Sequence, residues 1–185
     1  TQMCIMLAVF MGKVLKKKTA VAGDEVTYSL MLRQMQKASA IQHKGIASRH
    51  AYSMDGIDYY CGIRDEDIGI LRQKYDVIIL DISFENTFDN TNVTFARMVS
   101  RLSACDEKIL AGSMLPWKSR ECEKKMERIE RFLDIRGLKM VTLAACDKEA
   151  VSIIKKHGVE VVLIPFERNP FVISGENLRS FLELL

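Results

Sequence analysis

Three carboxylates stand where short apolar runs stop. Asp24 follows Thr19–Gly23, Asp81 closes Tyr75-Asp-Val-Ile-Ile-Leu-Asp81, and Asp147 follows Cys146 after Met140–Ala145. In an open parallel sheet, ligands bind beyond the carboxyl ends of the strands, so acids at three such ends can converge on one cleft. Oxygen ligands of this kind suit a hydrated Mg²⁺ held beside phosphates. The competing role for each is local, because Asp commonly ends a strand and caps the helix that follows. A further strand end, after Val159–Ile164, leads into Pro165-Phe-Glu-Arg-Asn-Pro170 rather than into an acid.

Other chemistries find little support. Ser83 and Ser113 follow apolar runs, but neither lies in a G-x-S-x-G elbow, so no nucleophile with its base can be read. His43, His50 and His157 have no H-x₃₋₅-H or H-E-x-x-H spacing, and a zinc site is not expected. Five cysteines, an odd number without C-x-x-C, read as reduced thiols of a cytoplasmic protein. A formal charge of +3, from 27 basic and 24 acidic residues, is too small to argue for a nucleic-acid partner.

The acids need elements to position them. Strands are expected at Thr19–Gly23, Ile57–Ile63, Asp76–Ile82, Lys108–Ser113, Met140–Ala145 and Val159–Ile164. Helical patterns fall at Thr27–Lys37, Asp65–Lys74, Val93–Ala104, Trp117–Ile135, Lys148–His157 and Gly175–Leu185. Runs such as Val77-Ile-Ile-Leu80 and Val161-Val-Leu-Ile164 are apolar at every position, as strands buried on both faces must be. Alternation of this kind predicts an α/β fold, a doubly wound, mostly parallel sheet with helices on both faces. Residues 1–185 contain no linker-like stretch and fit one domain.

Local signals sharpen this outline. Pro116 suits the first turn of a helix, along which Trp117, Cys122, Met126, Ile129, Phe132 and Leu133 form an apolar stripe. Gly137 and Gly158 are placed as helix stops. Met3–Met11 is apolar all round but far short of the roughly 18–20 residues of a membrane span, so a buried helix is expected there. Gln36–Met54, polar and weakly periodic, reads as a mobile surface loop.

Val77-Ile-Ile-Leu80-Asp81 has the shape of a Walker B strand. With Lys16-Lys-Lys-Thr-Ala-Val-Ala-Gly-Asp24 before it and Ile164-Pro165 near the end, the chain resembles the ParA/MinD-like (deviant Walker A) P-loop ATPases. Lys17-Lys-Thr-Ala-Val, Asp58-Tyr-Tyr60, Pro116-Trp-Lys118 and Ile164-Pro-Phe-Glu-Arg-Asn-Pro-Phe171 are similar to the CpaE/TadZ-type pilus assembly proteins of that superfamily. The resemblance implies roles for individual residues. Asp24 and Asp81 would be the metal and water-positioning acids, with Asp81 on the Mg²⁺. Thr1 would be the hydroxyl that ends the phosphate loop, and Asp147, Pro165 and Phe166 would contact the base of ATP.

Two departures bear on activity. No G-x-x-x-x-G-K-[ST] occurs, which places the phosphate loop and its central strand ahead of Thr1 in the family's pattern. After Asp81 the family continues with small residues and a Gly, whereas this chain has Ile82-Ser-Phe-Glu-Asn-Thr-Phe88. Weak or absent ATPase activity is therefore expected. The resemblance implies a homodimer that serves as a positioning or assembly factor. Its partners would be proteins of a pilus or secretion apparatus at the inner membrane face. A scaffold that binds no nucleotide and a DNA-partitioning ATPase are the alternatives.

Overall fold

The computed structural model describes residues 1–23, 39–40, 46, 50–82, 92–113, 115–135, 137–142, 148–155 and 157–185. The chain forms two compact units, one of residues 1–88 and 169–173, the other of residues 89–168 and 174–185.

The first unit is built on a five-stranded sheet. Its strands are β1 (Thr19–Gly23), β2 (Ser39–Ala40), β3 (His50–Met54), β4 (Ile57–Cys61) and β5 (Val77–Leu80), in the order β2-β3-β4-β1-β5. β1 lies between β4 and β5 and pairs with both in parallel, Val21 standing opposite Tyr59 on one side and Ile79 on the other. All five residues of β1 are buried, which requires cover on both faces.

Two helices supply that cover. α1 (Gln2–Val9) is apolar all round, and Ile5, Met6 and Ala8 are fully buried. It runs on into a turn of π-helix, Phe10–Val14, where Leu15 N–H reaches back to the carbonyl of Phe10. A Cβ placed on Gly12 would stand 3.0 Å from Ile57, so the chain passes close over the face of β4 that carries Ile57 and Tyr59. α2 (Asp65–Lys74) covers the opposite face, where Leu71 packs with Ala20, Ala22 and Tyr60. Side chains alternate across a strand, so these two sets of residues necessarily point opposite ways.

One expectation changes here. Part of Gln36–Met54, expected as a loop, is strand: His50–Met54 pairs antiparallel with β4, and Ser39–Ala40 pairs with β3. The physical reason is the two-residue turn Asp55-Gly56, whose φ angles of 55° and 80° suit a hairpin of the type I′ class. That turn is tied to the π-turn by a 2.6 Å ion pair between Lys13 and Asp55. Helix Thr27–Lys37 and Asp24 lie outside the described residues.

The second unit carries β6 (Ile109–Gly112), β7 (Lys139–Thr142) and β8 (Glu160–Leu163), all parallel and ordered β6-β7-β8. With them are α3 (Asn92–Ser103), α4 (Pro116–Glu130), α5 (Lys148–Lys155) and α6 (Gly175–Leu184). Pro116 opens α4 as expected, and Cys122, Met126 and Ile129 bury its inward stripe, with Cys122 and Met140 meeting over Gly112. Phe132 departs from that stripe. α4 stops at Glu130, and Phe132 is 62% exposed, with its ring edge-on to Phe95 at 5.0 Å. Gly137 and Gly158 take the left-handed conformations, φ 82° and 71°, that their placement as stops requires. Across both units the architecture is α/β with mostly parallel strands, as the alternating pattern predicts.

Candidate functional site

β1, β4 and β5 are parallel, so their carboxyl ends share one edge of the sheet. Gly23 ends β1, and Gly62 N–H donates to its carbonyl at 2.9 Å just past β4. Asp81 follows β5, its backbone N–H bonded to the carbonyl of Ala22 at 2.8 Å. The ladder thus continues one residue past the strand and fixes where the Asp81 side chain begins.

Thr1 arrives at the same edge from the opposite end of the sequence. It is the N-cap of α1, and a Thr there ordinarily turns its oxygen back onto its own helix. Here the side chain makes no such bond. Its hydroxyl instead donates to Asp81 Oδ2 at 2.6 Å, across 80 residues of sequence. The Thr1 nitrogen stands 3.4 Å from the same oxygen, and the two side chains are 23% and 16% exposed. A hydrogen bond to a carboxylate at this length is charge-assisted and roughly twice as strong as a neutral one.

This pair has definite chemical capacity. A hydroxyl and a carboxylate side by side, partly open to water, are hard oxygen donors of the kind that hold Mg²⁺. The N-terminal turn of α1 carries the positive end of the helix dipole, which favours phosphate. Thr1 and Asp81 therefore fit a metal–phosphate group. The glycine-rich turn that would surround the phosphates is not found in residues 1–185.

Toward the amino ends of the same strands lies a polar network within the core. Tyr60 and Tyr75 hydroxyls meet at 2.6 Å, and Tyr75 O–H donates to Asp58 Oδ2 at 2.5 Å. The two rings pack edge to face, and Lys18 Nζ lies 5.3 Å from the centre of the Tyr75 ring. Burial raises the Tyr75 pKa above the ordinary value, and donation to Asp58 raises it further. Tyr59, on the other face of β4, is also raised, again chiefly by burial and then by Asp55.

The remaining candidates divide between the second unit and undescribed segments. Asp147 and the Ser83–Phe88 stretch after Ile82 lie outside the described residues, as Asp24 does. Pro165 is half-buried and Phe166 is 62% exposed, immediately after β8. Pro165 lines an open groove of about 440 Å³ with Leu163, Glu176, Arg179 and Glu183. Glu167 in the same loop is the residue that sequence reasoning missed. Its Oε1 accepts from Ser174 N–H at 3.1 Å and from the buried Asn177 Nδ2 at 2.8 Å. Those donors hold the Glu167 carboxyl below its usual range. Ser174 in turn caps α6 through the N–H of Asn177. The S-x-x-N spacing at 174–177 marks that helix start, but nothing in sequence links it to Glu167.

No protein-family model matches this sequence, and no curated protein matches it significantly. Solved structures do resemble it. The MinD cell division protein of Aquifex aeolicus superposes with a TM-score of 0.64 at 13% identity, covering 100% of this chain and 92% of MinD. The MinC:MinD cell division protein complex of the same organism gives 0.62 at 13% identity, with 97% and 89% covered. The chain therefore has a MinD-like, P-loop NTPase-like fold. No described helix is long and apolar enough to cross a membrane.

Proposed function

We propose that this protein is a divergent ParA/MinD-type nucleotide-binding protein that acts as a positioning or assembly factor. The observation that carries this reading is the 2.6 Å hydrogen bond from Thr1 to Asp81. In the family pattern these are the phosphate-loop hydroxyl and the acid of the Walker B strand. They are far apart in sequence and meet at the strand edge where such folds bind ligands.

In this reading ATP arrives with Mg²⁺, whose charge offsets that of the phosphates. Thr1 and Asp81 orient the ion, and Asp81 keeps its position through the backbone bond to Ala22. The N-terminal turn of α1 favours the phosphates electrostatically. Asp24 positions water or metal, and Asp147, Pro165 and Phe166 contact the base. The bulky Ile82–Phe88 sequence opposes close approach of backbone to the terminal phosphate, so hydrolysis is slow or lost while binding persists. The likeness to a MinC:MinD complex supports a role exercised through protein partners, and the family resemblance implies a homodimer. A pilus or secretion apparatus at the inner membrane face is the setting suggested by the CpaE/TadZ-like residues.

Calorimetric titration of the purified protein with ATP and Mg²⁺ tests the reading. Saturable binding is expected, with Asp81→Ala weakening it by about tenfold or more through loss of an ion ligand. No heat from a folded protein at millimolar ATP overturns it and leaves a scaffold that works without nucleotide.

A further inference from the structure

A second cluster of metal-ligating side chains lies in the other unit, on elements the nucleotide reading does not use. Glu123, Glu127 and Glu130 recur on α4 at i, i+4 and i+7, one face of an α-helix. α5 packs against α4. His157 lies just past α5, immediately before the left-handed Gly158 that reverses the chain.

The imidazole has a different environment at each nitrogen. Nδ1 stands 2.9 Å from Glu130 Oε1, a hydrogen bond in which the ring donates. Nε2 is buried without a hydrogen-bond partner. It faces Glu123 Oε1 at 3.9 Å, too far for a hydrogen bond. Donor atoms of Glu123, Glu127 and His157 all lie within 4.8 Å of one another.

The geometry points to a divalent transition-metal site, with Zn²⁺ the best-fitting ion, formed by Glu123, Glu127 and His157 Nε2. Glu130 is its positioning residue. A carboxylate on Nδ1 keeps the proton there, turns the Nε2 lone pair outward and makes the ring a better ligand. One imidazole and two carboxylates suit Zn²⁺ rather than Mg²⁺, which takes oxygen ligands. Ligand bonds of about 2.0–2.2 Å in a tetrahedron separate donors by roughly 3.3–3.6 Å. Binding therefore draws the three side chains together by about an ångström, within the reach of side-chain rotation. Glu127 is exposed, so a water completes the fourth position from the solvent side. The bound ion ties α4 to the turn between α5 and β8.

The rival arrangement is a protonated His157 bridging Glu130 and Glu123 with no metal. Titration of the reduced full chain with Zn²⁺, followed by calorimetry and by NMR of the imidazole nitrogens, separates the two. Saturable one-to-one binding that shifts the His157 Nε2 resonance is expected. Glu127→Gln should weaken binding by about tenfold or more, and Glu130→Gln by about 10–100-fold. Co²⁺ substituted for Zn²⁺ should give a spectrum without thiolate charge-transfer bands. Absence of saturable binding, equal binding by folded Glu127→Gln, or a thiolate spectrum each overturns the site. Glu127 is exposed and Gln is close in size, so that variant decides the question even where His157→Gln fails to fold.

Discussion

Tyr75 shows how much one side chain can hold in place. Its hydroxyl joins Asp58 and Tyr60, while its ring lies against Tyr60 and beneath Lys18. Tyr75→Phe removes one hydrogen bond from Asp58 and one from Tyr60, so a loss of about 1–3 kcal/mol is expected in urea denaturation. Together with Tyr59 on the opposite face of β4, the network has a pH signature. Tyr59, Tyr60 and Tyr75 all bind their protons more tightly folded than unfolded, mainly because burial penalises the phenolate. Their stabilising contribution is complete below the unfolded value of 10.0 and drains away as pH rises above it. Denaturation midpoints should fall steeply above about pH 10, and less steeply in Tyr75→Phe. Equal slopes in the two proteins would remove Tyr75 from the cause. None of this network was legible in sequence. Asp58 and Tyr60 share a face because they are two apart on β4, but Tyr75 reaches them only because α2 lies over that face.

At the scale of elements, the strands and helices flanking apolar runs were readable because periodicity reports burial directly. β1 falls at Thr19–Gly23 as expected, and β5 ends at Leu80, where the continuous apolar run stops just before Asp81. The hairpin of β3 and β4 was hidden by composition. Gln36–Met54 looks polar, yet Asp55-Gly56 is a strong turn signal, and the strand before it follows from the turn rather than from its own apolar content. Gly56 supplies a φ of 80° that a side chain resists, and no neighbouring atom lies within 4 Å of a Cβ built there. Gly56→Ala should therefore cost about 1 kcal/mol through backbone strain alone. Denaturant midpoints would register that loss. An unchanged midpoint would show that the turn relaxes freely. The metal cluster on α4 was equally hidden, since its histidine comes from another element and no local spacing announces it.

For the whole molecule, order and spacing of elements carried the fold further than any motif did. The likeness to MinD spans 100% of the chain at only 13% identity, so what persists is the arrangement of α and β segments rather than the residues. The resemblance singles out Thr1 and Asp81 separately, and their contact depends on where α1 begins and where β5 ends. The roles of Asp24 and Asp147 rest on sequence alone. The proposed dimerisation belongs to this scale. Sedimentation velocity should show a 21.1 kDa species that doubles in mass when ATP and Mg²⁺ are added. Asp81→Ala should stay monomeric under the same conditions. A mass indifferent to nucleotide would separate binding from assembly.

The π-turn at Phe10–Val14 closes α1 with a wider loop of backbone than regular α-helix has. Such a turn accommodates one residue more than regular α-helix would. It lies at the far end of α1 from Thr1, next to the residue that grips the hairpin. Deleting Met11 should wind the turn back into ordinary helix and swing Lys13 away from Asp55. Thr1, anchored by its own end of the helix, would keep its hold on Asp81. A residue gained or lost at that point would therefore alter the attachment to the hairpin while the geometry at the Thr1–Asp81 edge stays as it is.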